Sequence, residues 1–188
     1  MKKLLFLLLP AALFFSCSDN KSTTEIASGD SVTTNKMDND GDDDDVALPY
    51  TMRGKADWKR ASAGNAAIAM NTLRAYEMND IEGMRQYLAD TVEFFVDNWS
   101  FKGSRDSTIA MMTDHRRGTD SISINMHDYE SVKSKSRNEE WVSLWYTETS
   151  KMKGGKLDSA RVMDDIKIVN GKVAVIDSKM RRLMAKKE

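Results

Sequence analysis

Three side chains are candidates for proton chemistry: Asp97 in VDNWSF, His127 in NMHDYE and Asp164 in VMDDIKIV. Carboxyl and imidazole groups exchange protons near neutral pH when their surroundings shift them. Two of them meeting in one pocket would suit a hydrolase or a dehydratase-like lyase. Asp164 and Asp165 are neighbours on a segment that alternates as a strand, so one faces inward and the other outward. An inward aspartate lines a pocket or pairs with an arginine. His127 shares parity with Asn125 and Tyr129, opposite Met126. His115, in DHRR at the polar end of a helical segment, reads as a surface residue. No HxH, HExxH or Cys/His set is present, so no catalytic metal and no cofactor is expected. There is no GxSxG elbow and no glycine loop for phosphate.

The elements that must position these groups follow from periodicity. The segment after Asp57, WKRASAGNAAIAMNTLRAYEMN, has Ala66, Ala69, Met70, Leu73 and Tyr76 at helical spacing, which predicts a long first helix. Asn79 with Glu82 resembles a capping pair, and Ile81, Met84 and Leu88 predict a short second helix. TVEFFVD is β-branched and aromatic, hence a strand. SRDSTIAMMTDHRR, with Ser104 as N-cap and Ile109, Met112 and Arg116 on one face, predicts a third helix. Beyond Gly118 the period changes to two. Four strands follow, in SISINMHDYESVKSK, WVSLWYTETSKM, LDSARVMDDIKIV and KVAVIDSKMRRLM, with Gly154-Gly155 and Asn170-Gly171 as tight turns. Helices followed by hairpin-linked strands indicate an α+β domain with an antiparallel sheet.

That order, with AYEMNDIEGMRQYLADTVEFF at the front and DDIKIVNGKV near the end, resembles the nuclear transport factor 2-like superfamily and its SnoaL-like, ketosteroid-isomerase-like members. The resemblance covers about residues 57–184. It implies a strongly curved antiparallel sheet wrapped around three N-terminal helices, a cone with a pocket at its open end. It also implies possible homodimers through the outer sheet face. Isomerases of this fold carry a carboxylate base after the first strand, a tyrosine on helix one and a protonated aspartate on a late strand. Asp164 matches the last. The base position falls on Phe94 and the tyrosine position on Thr72, with Tyr76 one turn later, so steroid-type isomerisation is not expected. In such a cone the pocket-lining set would be Trp99 at the rim, Tyr146, Asp164 and Tyr76, with Asp97 close to the mouth. For Trp141 and Trp145, on the opposite strand face from Tyr146, burial or a dimer face is favoured over ligand contact.

The N-terminus has a different texture. Lys2 and Lys3 precede an apolar run, Leu4 to Phe15, too short to span a bilayer. Small Ser16 then precedes Cys17, the only cysteine, with Ser18-Asp19-Asn20 behind it. The arrangement resembles a bacterial lipoprotein signal, although Phe14-Phe15 replaces the usual Leu-small pair. It implies removal of residues 1–16 and lipidation of Cys17, a membrane partner for the chain. Polar residues after the cysteine resemble lipoproteins of the Bacteroidetes type, which implies the cell envelope and the outer membrane. Residues 17–50 form an acidic linker whose composition opposes packing. Residues 18–50 carry nine acidic residues against two lysines, a net of −7. Within the linker DNDGDDDD echoes a calcium loop, but counting from Asp38 puts Pro49 where an EF-hand needs glutamate.

Residues 51–188 form the domain. They hold 24 basic and 20 acidic residues, +4, with no basic stripe interleaved with aromatics, so nucleic acid is not an expected partner. Three classes remain open. The first is a lipid-anchored binding module whose cone takes a small, mostly apolar ligand. The second is an enzyme using Asp97, His127 or Asp164. The third is an interaction protein whose cone is filled by its own side chains, to which thirteen methionines are suited.

Overall fold

In a computed structural model the described residues are 49–50, 53 and 57–183. The signal segment, Cys17 and nearly all of the acidic linker lie outside them. Helix α1 spans Ala63–Glu77, and Ser62 caps it by accepting from the Gly64 N–H at 3.0 Å. Of the stripe read from the sequence Ala66, Ala69 and Tyr76 are buried and Met70 and Leu73 half-buried, with Thr72 buried beside them. The preceding Trp58–Arg60 is not helical. It forms an edge strand, β1, paired with the far end of a later strand. Trp58 has an exposed face there, with the Arg137 guanidinium 5.5 Å above its ring.

Asn79 does not cap the second helix. It takes φ 59°, the left-handed conformation asparagine tolerates, and Asp80 does the capping by accepting from the Gly83 N–H. Helix α2, Ile81–Met84, is a single turn, and Leu88 belongs to the following strand β2, Leu88–Val96. A further strand not foreseen from the sequence, β3 (Trp99–Ser104), folds back on β2 through the two-residue turn Asp97-Asn98. Serine, lysine and glycine in its middle hide it from a periodicity argument. Helix α3 runs Arg105–Arg116, capped by Ser104 as expected. Strands β4 (Thr119–Ser134), β5 (Glu139–Met152), β6 (Leu157–Val169) and β7 (Lys172–Arg182) then form a meander. The turn between β6 and β7 is Asn170-Gly171, both at positive φ, as a two-residue hairpin of this twist requires.

The seven strands form one curved, open sheet in the order β1-β4-β5-β6-β7-β2-β3. All pairs are antiparallel except β2 with β7, so the sheet is mixed rather than purely antiparallel. Register shifts mark bulges, between Met126 and Asp128 in β4 and at Ala174 of β7 opposite Lys167 and Ile168, and bulges bend long strands. The concave face packs on the helices. Leu88, Val92, Val142, Leu144 and Val173 are wholly buried there, with Ala69 of α1 against them. Glu77 ties α1 to the sheet: one carboxylate oxygen accepts from the Ile124 N–H at 3.0 Å, the other from Arg74 at 2.6 Å.

Candidate functional site

The sheet curves away from the helices at one end and leaves a cavity of about 450 Å³. Strand alternation decides which side chains line it. From β5 come Tyr146 and Glu148, from β6 Val162, Asp164 and Ile166, from β7 Ile176, Ser178 and Met180. Strand β2 adds Phe94 and Val96, and Trp99 opens β3. Helical spacing supplies the opposite wall: Ala69, Thr72, Leu73 and Tyr76 from α1, and Met111, Met112 and His115 from α3. The lining is mostly apolar, with polar groups in two clusters.

The first cluster centres on Asp164, which is 4% exposed. One carboxylate oxygen accepts from the Tyr146 hydroxyl at 2.8 Å, and the other accepts from Ser178 Oγ. Burial pushes the Asp164 carboxyl up to about 6. The two hydrogen bonds oppose that rise, while the negative charges of Glu148 and Asp165 add to it. Burial likewise raises the Tyr146 phenol well above its ordinary value, and the Asp164 charge adds to the rise. The hydroxyl therefore stays protonated and serves as a donor. Asp165 points to the outer face, where it accepts from Ser143 and Lys179.

The second cluster is on the helical wall. The Tyr76 hydroxyl lies 3.1 Å from His115 Nδ1, and the two rings stack at 6.2 Å between centroids. Burial raises the Tyr76 phenol as well, with Glu148 adding to the rise and Arg116 opposing it. The Arg116 guanidinium, itself buried, sits 5.7 Å over the Tyr76 ring. Glu148 thus acts electrostatically on Asp164, Tyr146 and Tyr76 together.

Of the residues singled out from sequence, Tyr76, Trp99, Tyr146 and Asp164 all line this cavity. Trp99 is 47% exposed and stacks on Phe101 at 6.3 Å, which places it at the rim. Asp97 and His127 do not line it. Asp97 takes φ 50° in the β2–β3 turn, and its carboxylate accepts from the Met180 N–H at 3.3 Å, pinning the hairpin to β7. His127 stands at the β4 bulge on the outer face and bonds Thr147 Oγ1 at 2.9 Å. Asp97, His127 and Asp164 therefore do not converge as one acid–base set. Trp141 and Trp145 are on the outer face too, Trp141 beneath Lys167 Nζ at 5.5 Å. Phe94 occupies the wall where an isomerase would carry its base, and the Thr72 hydroxyl is spent on the Ile68 carbonyl at 2.8 Å.

Sequence reasoning passed over Glu148 and Ser178 and read His115 as a surface residue; His115 is exposed and also lines the cavity. His115 lies three residues beyond Met112, which lines the same cavity. Glu148 follows Tyr146 by two and Ser178 follows Ile176 by two, so strand parity alone would have found both.

No protein-family model matches the chain, and no curated protein does. Solved structures do. An LEH-like epoxide hydrolase of M. tuberculosis superposes with a TM-score of 0.53 at 11% identity, over 64% of this chain and 84% of that one. AusH of Aspergillus nidulans gives 0.52 at 11%, over 65% and 87%. An NTF2-like protein of unknown function from Burkholderia pseudomallei gives 0.51 at 12%, over 65% and 92%. The fold is nuclear transport factor 2-like. At these identities the likeness establishes the fold alone, and the chemistry of an NTF2-like cone rests on its own lining.

Proposed function

We propose that the protein is an exported small-molecule-binding protein, anchored by lipid on Cys17, whose NTF2-like cone takes a mostly apolar ligand with one polar group. One observation carries the binding reading. An apolar cavity of about 450 Å³ holds, on its wall, a buried carboxyl already organised by Tyr146 and Ser178. Buried polar groups orient a ligand, while the apolar lining supplies the affinity. The cavity volume opposes the filled-cone alternative.

The solved structures of this fold include an epoxide hydrolase and proteins of unknown function, which is compatible with either binding or turnover. A second reading, an enzyme moving protons, draws support from His115 and Tyr76 lining the same cavity as Asp164. It replaces the Asp97–His127–Asp164 set with two clusters on facing walls. The polar end of a ligand would meet Asp164 and Tyr146 on one side and the His115–Tyr76 pair on the other.

Titration of the full chain with 2-naphthol, a neutral aromatic alcohol, tests the site. Binding is expected to be saturable and to weaken at least tenfold in Asp164→Leu, because the hydroxyl loses its partner, a loss of about 1.4 kcal/mol or more. Equal affinity in that variant would remove Asp164 from the site. Chemical conversion of bound ligand that His115→Asn abolishes, with binding kept, would favour the enzyme reading.

A further inference from the structure

The convex face of the sheet carries a second groove of about 430 Å³, lined by outward-facing residues of β5, β6 and β7 and sharing Tyr146, Val162 and Met180 with the cone. Its layout follows from register. Trp145 pairs with Met163, and Met163 with Lys179, which makes a half-buried aromatic and thioether floor with a cation at its end. On the next outward-facing rung Thr147 pairs with Arg161, and Arg161 pairs directly with Arg181. Directly opposed residues of an antiparallel pair point to the same face, so the two arginine side chains leave the sheet side by side.

Like charges in that position are destabilising. Elsewhere on this face Lys167 is matched with Glu139 at 2.7 Å, and Lys179 with Asp165 at 2.7 Å and Asp177 at 3.0 Å. Among the described residues Arg161 and Arg181 have no ion-pair partner. Asp97, the one carboxylate in the groove, is turned to the Met180 backbone. His127 is fixed beside them by its bond to Thr147.

We propose that this groove is a second ligand site, selective for a small aromatic oxyanion. The flat body would lie on Trp145 and Met163, and its carboxylate or phosphate would bridge Arg161 and Arg181. Guanidinium forks match the planar oxygens of such groups, and a shared anion relieves the repulsion between the two arginines. A dimer contact is the competing use of this face. A two-fold contact centred on this rung would bring four guanidiniums together, which disfavours it.

The test uses the full chain with three probes: 2-naphthoate, its uncharged methyl ester, and inorganic phosphate. Heteronuclear NMR follows the Trp145 indole N–H, assigned by Trp145→Phe. Naphthoate is expected to shift that resonance saturably, and Arg161→Gln with Arg181→Gln is expected to weaken it at least tenfold. The ester is expected to bind at least tenfold more weakly. Both arginines are exposed, so the double variant is expected to keep the wild-type circular dichroism. Phosphate competing with naphthoate would identify the oxyanion as the recognised part. No competition by phosphate at a hundredfold excess would overturn the bridging of the arginines. Unchanged affinity in the double variant would overturn the proposal, as would equal binding of the ester. Loss of naphthoate binding in Trp99→Ala alone would place the probe in the cone and overturn it too.

Discussion

Asp164→Asn is expected to stabilise the protein at pH 7 and to have little effect at pH 4. The sign follows from linkage. The carboxyl sits at about 6 in the folded chain against an ordinary 3.8, so the folded state holds its proton more tightly than the unfolded state. Stability from this group is fully present below pH 4 and is lost as pH rises through 6. The shift corresponds to about 3 kcal/mol above pH 6. Asparagine has nearly the same shape and no charge to bury. Its amide oxygen can accept from Tyr146, and its amide N–H can donate to Ser178, so neither hydroxyl is orphaned. Denaturant unfolding at pH 4, 5, 6 and 7 checks this through the difference between variant and wild type. The difference should grow across that window. A constant offset at all four values would mean that Asp164 does not titrate there. It would also mean that the cone keeps a charged carboxylate without penalty.

Cys17→Ser is expected to move the protein from the membrane fraction to the soluble fraction. Serine cannot carry the thioether-linked lipid, and the apolar run before it is too short to act as a spanning anchor. The effect should be near complete, because each buried acyl CH₂ contributes about 0.8 kcal/mol and stable anchoring needs more than one chain. The folded domain should be unaffected, since its core lies wholly within residues 66–176. Membrane fractionation with circular dichroism of the released protein is the measurement. Wild-type retention of the serine variant would contradict the anchor.

The pattern of what was legible in the sequence has physical causes. The long strands and α1 were legible because burial on one face imposes strict periods, as in Val142-Leu144-Tyr146 and Ala66-Ala69-Tyr76. The mixed character of the sheet was not, because β2 pairs with β7 across almost the whole domain and leaves no local trace. Strand β1, three residues long with every side chain partly exposed, has no periodicity to read. Leu88 fits a helical spacing after Met84 and a strand start equally well; the short α2 yields to the buried β2. Within the site, Asp164 was legible from its alternation and its place before the Asn-Gly turn. Asp97 misled because it stands two residues before the rim residue Trp99, while its backbone takes a turn conformation that aspartate tolerates. His115 is exposed, as read, and also lines the cavity. Its neighbours Asp114, Arg116 and Arg117 suggest solvent, but one helical turn back stands Met111, which shares its wall.

The central claim is that the cone is a ligand site. Native mass spectrometry of the full chain, purified from its own cells, tests it most directly when run beside Ala69→Phe. Ala69 is fully buried in the cavity wall, and phenylalanine there would occupy ligand volume. The account predicts a small molecule retained non-covalently by the wild type, released on denaturation and missing from the variant. A ligand-free mass for each of the two proteins, together with failure of the wild type to take up added 2-naphthol, would contradict it.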